Sequence, residues 1–280
     1  MNIRLGLLMI LAWLASAGAV DAQQRPLVTE DPETIGSGRV LLEGGVEFAN
    51  GVTSTAYGIE GDLTRIGTFG VSVGAGPIAE VQVDGGVLQQ LDVNRRIPAG
   101  PLSAFVLALP GDTTSGFEDL LIATKIRFAS ETESRPAMGV RLGTRVPTAN
   151  PDNGVSLGTT DFFTSFLVAK TVRSVRTVGN VGLLFLGNPQ DARDHATSLS
   201  YGVSIARAVT NAFEVVGELN GRFPPFEEFT PPGLESRSVF RLAGRYTYSW
   251  MRLDFGILAG ITERDPSFGF TGGITYVIAP

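Results

Sequence analysis

The chain has 280 residues, 43% of them hydrophobic and only 18% charged, with 35 glycines and no cysteine. The missing thiols exclude a disulfide scaffold, a thiolate metal centre, a cysteine nucleophile and a lipid-modified N-terminal cysteine. A net charge of −6, without a basic tract interleaved with aromatics, argues against a nucleic-acid partner.

The N-terminus opens with a basic residue at Arg4, an apolar run from Leu5 to Leu14, and then small residues. Val20-Asp21-Ala22 makes a cleavage triplet, with Ala15-Ser16-Ala17 as the alternative. Residues 1–22 therefore read as a secretory signal peptide, the apolar run being short for a spanning helix of about 20 residues. Residues 23–38, "QQRPLVTEDPETIGSG", read as an irregular periplasmic leader, and the rest of the chain, 39–280, as one barrel domain.

From Arg39 onward the chain is a succession of alternating segments, starting near residues 39, 66, 79, 116, 136, 158, 175, 197, 213, 236, 250 and 267. Successive strand side chains point to opposite faces. In "AEVQVDGGVLQQLDV", Val81, Val83, Val87 and Leu91 oppose Glu80, Asp84 and Asp92. In "GFEDLLIATKIRF", Leu120, Ile122, Ile126 and Phe128 oppose Lys125 and Arg127. In "PAMGVRLGTRVPTA", Met138, Val140, Leu142 and Val146 oppose Arg141 and Arg145. In "SRSVFRLAGRYTYSW", Phe240, Leu242 and Tyr246 oppose Arg237, Arg241 and Arg245. In "WMRLDFGILAGIT", Leu253, Phe255 and Ile257 oppose Arg252.

Short turns ("GPIA", "ASETESRP", "VRSV", "VTNA", "YSWM") alternate with longer polar links at 49–65, 94–115, 148–157, 188–196 and 224–235. Strands of about nine to eleven residues cross a bilayer when tilted, whereas sandwich strands run to about five or six. In hydrocarbon a spanning sheet must close on itself to pair its backbone. The pattern predicts an all-β, transmembrane, antiparallel up-and-down barrel of about twelve strands, with short periplasmic turns and longer external loops. The apolar faces then meet lipid and the charged faces line the lumen; the competing architecture is an exported soluble β-sandwich.

The expected lumen has an acidic wall (Glu43, Glu47, Glu80, Asp84, Asp92) and a basic wall (Lys125, Arg127, Arg141, Arg145, Arg237, Arg241, Arg245, Arg252), facing each other across it. Either this field orients a small anionic or dipolar solute, or the charges pair and fill the lumen. The leader, carrying Glu30, Asp31 and Glu33, is a candidate plug for the basic wall. No enzyme is expected: His195 is the single histidine, and Ser198, three residues on, faces the other side of a strand. "NPDNG" at 150–154 lacks the full ligand pattern of a calcium loop and reads as a turn, so neither metal nor cofactor is expected.

"PLVTEDPETIGSGRVLLEGGVEF", with Thr29, Glu30, Asp31, Pro32, Thr34, Gly36 and Glu43, resembles the opening of the outer-membrane transporter family of the MetA pathway of phenol degradation. "SGFEDLLIATKIRF" is similar to its Gly-x-x-Asp strand ending in Lys-x-Arg-Phe. "GVRLGTRVPTANPDNGVSLGTTDF" is similar to its strand closing on Leu/Val-Pro-Thr, followed by a Gly-rich loop and Thr-Asp. The chain departs at its end, "GGITYVIAP", where members commonly finish on an aromatic residue. The resemblance implies a bacterial outer-membrane location and passage of small aromatic or hydrophobic compounds. The expected partners are outer-membrane lipids, the barrel-assembly machinery and a small solute. The alternative is a closed structural or adhesion-type barrel without transport.

Overall fold

The computed structural model describes residues 25–96, 100–104, 111–189, 191–225 and 232–278. The expected signal peptide lies outside the described residues. The strands are β1 (Val40–Ser54), β2 (Ile59–Gly74), β3 (Ala79–Arg96), β4 (Thr113–Gly116), β5 (Leu120–Ala129), β6 (Ala137–Val146), β7 (Asp161–Val172), β8 (Val175–Asn188), β9 (Asp191–Ala208), β10 (Phe213–Phe223), β11 (Arg237–Tyr248), β12 (Met251–Gly260) and β13 (Phe268–Ile278).

Apart from the short β4, each strand pairs antiparallel with the next along the chain, and β1 closes the ring against β13 from Val40↔Ile278 to Asn50↔Phe268. The four-residue β4 pairs only with Gln89–Asp92 of β3 and continues the line of β5, which pairs with Ala79–Asp84. The wall is therefore a closed barrel of twelve strands. Closure leaves no open sheet edge in the hydrocarbon, as the bilayer demands.

The apolar faces are turned outward. Leu42, Val46, Ile122, Leu142, Val203, Leu242, Phe255, Ile257 and Phe270 are all exposed on the outer surface. Trp250 and Tyr276 meet edge-on with ring centroids 4.4 Å apart beside the β11–β12 turn, and Tyr248 lies exposed next to them. They form part of an aromatic girdle at the periplasmic rim, where amphipathic rings suit the headgroup level.

Two of the expected long links are strand instead. Residues 49–65 belong almost wholly to β1 and β2, with only Thr55–Gly58 as loop, and of the second link residue 188 belongs to β8 and residues 191–196 to β9. Their Asn, Asp, Thr and Gly residues resemble loop composition because these strand ends stand in water beyond the bilayer.

Asp92 also departs from expectation. Gly67 in β2 adopts φ 67°, and an added Cβ there would stand 3.2 Å from Val87 of β3, between the paired positions Ile66↔Leu88 and Thr68↔Gly86. The alternation of both strands slips there. Val81 and Val87 face outward, yet the equally odd-numbered Gln89, Leu91 and Val93 are buried within. Asp92 is thus on the outer face near the external rim, accepting hydrogen bonds from Thr113 Oγ1 (2.9 Å) and Gln90 Nε2 (3.2 Å). It does not belong to a lumen wall.

Ile257 sits in the middle of β12 between Leu242 and Phe270 on the lipid face. Ile257→Arg should destabilise the barrel by roughly 2–4 kcal/mol, the cost of a lipid-facing guanidinium near the midplane. Urea unfolding in lipid vesicles measures this, and a change confined to a few tenths of a kcal/mol would contradict the inside-out arrangement.

Candidate functional site: the lumen and the segment that crosses it

Alternation puts every second residue of each wall strand into the lumen, and many of these are glycine. The space they leave is occupied by residues 25–38. Arg25 lies against the facing pair Gly45 and Gly273, where an added Cβ would come within 2.2 Å and 2.3 Å of its guanidinium. It donates to Thr68 Oγ1 (3.1 Å), to Thr271 Oγ1 (3.3 Å) and to the Gly272 carbonyl (2.9 Å). Its backbone N–H donates to Glu43, and its carbonyl accepts from Arg245 Nε.

Leu27 then packs on Ala206, Val216 and Ala243, an apolar contact further round the wall on β9, β10 and β11. The amides of Val28 and Thr29 both donate to Glu218, and Thr29 lies on Gly202. Asn180 grips Glu30 by its backbone: Oδ1 accepts from the Glu30 amide (2.6 Å) and Nδ2 donates to its carbonyl (2.7 Å).

The three leader acids each meet a base. Glu30 contacts Lys125 Nζ at 2.7 Å and lies 3.6 Å from Arg141. Asp31 takes two hydrogen bonds from Arg176, at 2.5 Å and 2.7 Å. Glu33 pairs with Arg127. The Ile35 amide then donates to Glu80 before the chain enters β1.

The wall charges do not face one another as two opposed walls. Strands adjacent in sequence are adjacent in the ring, so the acids of β3 stand beside the bases of β5 and β6. Glu80 lies 3.0 Å from Lys125, and Asp84 lies 3.3 Å from Arg141. The same lateral pairing joins Glu47 to Arg65, Arg241 to Glu218 (3.3 Å), Arg245 to Glu214 (3.2 Å) and Arg237 to Asp265 (4.0 Å). Arg145 reaches Asp161 only at 4.0 Å, with half of its side chain exposed to the lumen. Arg252 donates to Thr247 on the periplasmic side of the lumen.

Several partners escaped the sequence reading. Arg65 was hidden in a supposed loop, while Arg176 and Asn180 occupy alternate inward positions of β8. Glu118 bridges to Arg65 from the three-residue break between β4 and β5. Glu218 and Arg222 share the polar face of β10, where alternation in "FEVVGELNGRF" sets them against Val215 and Leu219, although neither is among the expected wall charges. Parity along β8 and β10 was the available signal for four of these.

On the external side, loops close over the barrel mouth. Ala56, Tyr57, Ile59, Leu91 and Val93 form a buried cluster with Leu102, Val155 and Leu157 against it. Tyr57 Oη lies 2.7 Å from the carbonyls of Pro151 and Ser156. Burial first, then Asp152 and Asp119, push its phenol up to about 12, so it remains a donor at neutral pH. Residues 151–153 form a short 3₁₀ turn capped by Asn150, whose side chain accepts from the Asp152 amide.

Between this roof and residues 25–38 are two adjoining cavities of about 350 Å³ and 380 Å³, both bordered by Val28, Leu121 and Arg145. His195 is exposed on β9, whereas Ser198 is fully buried on the other face, so the two do not converge.

The model of the family described as "Putative MetA-pathway of phenol degradation" matches residues 24–276. No curated protein matches the sequence. The fold is similar to that of an outer membrane channel from Pseudomonas putida F1, at 14% identity and TM-score 0.65, covering 89% of this chain and 98% of that one. It is also similar to the NanC porin (7% identity, TM-score 0.51, 85% and 98% covered). The translocator domain of the autotransporter NalP from Neisseria meningitidis is a third likeness (10% identity, TM-score 0.50, 97% and 95% covered). At these identities the likeness is one of fold.

Lys125 and its partners Glu30 and Glu80 are fully enclosed. Lys125→Met leaves two buried carboxylates without their cation, and should cost about 3–5 kcal/mol in denaturant unfolding. An unchanged midpoint would show that these groups are hydrated or lie apart.

Proposed function

The chain belongs to the MetA-pathway phenol-degradation family of outer-membrane barrels, and on that footing we propose that it is a passive channel for small solutes, aromatic or otherwise apolar compounds among them. The observation that carries the reading is the pair of adjoining cavities above residues 25–38, walled by arginines, carboxylates and a few apolar side chains rather than packed solid. A solute enters from outside past the loop roof, dwells in this space, and leaves as the leader shifts on the periplasmic side. The leader acts as a plug whose acids neutralise Lys125, Arg127, Arg141 and Arg176.

Delivery to the outer membrane would rest on cleavage of the N-terminal signal peptide and on the barrel-assembly machinery. Catalysis has no support from the placement of His195 and Ser198, and the reading is of a non-enzymatic protein without a cofactor.

The rival reading, a closed structural barrel, draws on the roof, where Thr55 accepts from the Gly233 amide (2.8 Å) and Arg264 pairs with Glu235. Single-channel recording in planar bilayers separates the two. The full chain should give a small conductance, and Glu30→Gln/Asp31→Asn/Glu33→Gln should raise it by loosening the leader. If correctly folded barrels of both kinds pass no current, the channel reading fails and the structural one stands.

A further inference from the structure

The larger cavity has a chemical character that its family description does not convey. Four guanidiniums border it, and they differ in how their charge is met. Arg141 is neutralised by Asp84 and Glu30 and lies over the Phe163 ring, 5.2 Å from its centroid. Arg222 is held by carbonyls instead, donating to Glu235 (3.3 Å) and Gly233 (3.0 Å), and it makes no ion pair among the described residues. Arg237 donates to the carbonyls of Thr53 and Arg264, with Asp265 no nearer than 4.0 Å. Among the described residues, Arg145 has only Asp161 as an ion-pair partner, at 4.0 Å.

Neutral acceptors fix a guanidinium's position without cancelling its charge. Arg222 and Arg237 are held this way, and Arg145 and Arg237 have a carboxylate only at 4.0 Å. Three guanidiniums so weakly neutralised around one space repel each other, and partial shielding from water makes that charge costly. A mobile anion relieves that cost, and a carboxylate matches the guanidinium fork with two parallel hydrogen bonds.

The remaining wall is apolar. Leu121, Phe163 and Leu184 share the inward faces of β5, β7 and β8 with the charged positions, and all border the same cavity. The Phe163 ring occupies the space over Gly143, where an added Cβ would come within 2.4 Å of it. One cavity thus offers guanidiniums at its external end and an aromatic and aliphatic surface beside them.

We infer that this cavity is a binding site for single-ring aromatic carboxylates, whose carboxylate is taken by Arg145, Arg222 and Arg237 and whose ring lies against Phe163 and Leu184. The inference rests on the channel reading for its role in passage, but not for binding. It separates an aromatic acid from phenol, which is uncharged at neutral pH and offers the arginines no anion.

Isothermal titration calorimetry of the full chain purified from outer membranes, with benzoate as the probe, tests it. Saturable benzoate binding is expected, with phenol, benzamide and acetate each weaker by about tenfold or more, since a lost charge pair or ring contact is worth about 1.4 kcal/mol or above. Arg145→Gln should weaken benzoate to a similar degree, whereas Arg135→Gln, in the periplasmic turn, should leave it unchanged. Asp161→Asn removes the carboxylate that competes for Arg145 and should tighten benzoate, which serves if Arg145→Gln does not assemble.

Equal affinity for benzoate and phenol, equal affinity for acetate, or indifference to both substitutions overturns the site. Benzoate binding by a barrel that passes no ions upholds the site and removes the channel reading alone. Ion passage with no benzoate binding does the reverse.

Discussion

A lysine with no access to water organises the lower half of this barrel. Lys125 projects from β5 between Glu80 of the wall and Glu30 of the leader, at 3.0 Å and 2.7 Å. A buried cation is tolerable only with its counter-charges in place, and one wall carboxylate leaves Arg141 beside it only partly neutralised. Glu30 serves both cations. The leader is therefore an electrostatic component of the wall as well as an occupant of the lumen.

That constraint explains two features of the composition. The lumen-facing glycines at 45, 139, 202 and 273 lie where Arg25, Thr29 and Pro32 approach the wall, and side chains there would expel the segment. The apolar residues turned outward, such as Leu142 and Phe255, have no protein neighbour to bury against because lipid is their solvent. A barrel of twelve strands is wide enough to need filling. Here the filling is divided between a charged floor made by the leader and a roof of loops knitted by Tyr57 and Thr55, and the space between them is where a solute could reside.

Much of this was legible in the sequence because a membrane barrel imposes a period of two on nearly every strand. The starts of β3, β6, β8, β10, β11, β12 and β13 fall within a residue or two of where the alternation begins. Leu142 outward and Arg141 inward follow from parity alone. The reading failed where parity was interrupted: Gly67 slips the frame of two strands and carries Asp92 to the outer face. It also failed where strand left the bilayer, since polar residues in 49–65 and 188–196 have no apolar partner to mark alternation.

The pairing pattern was less accessible still. Sequence gives the sign of a wall but not its register, so Asp84 and Arg141 were set on opposed walls, whereas β5 alone separates their strands. That the leader's acids were candidates for the basic positions could be read from their charge. Which acid meets which base depends on the path of the segment through the lumen, with Asn180 and Glu218 holding its backbone and no motif announcing them.

The central claim is that residues 25–38 lie across the lumen, and the absence of cysteine makes it directly testable. The Cβ of Thr29 lies 3.4 Å from where a Cβ would stand at Gly202, close to the usual disulfide spacing of about 3.5–4.5 Å. In Thr29→Cys/Gly202→Cys, the account predicts that the assembled barrel forms an intramolecular disulfide, identified by mass spectrometry of the linked peptides. Two thiols that stay free under oxidation in a correctly folded barrel would place the leader outside the lumen and contradict it.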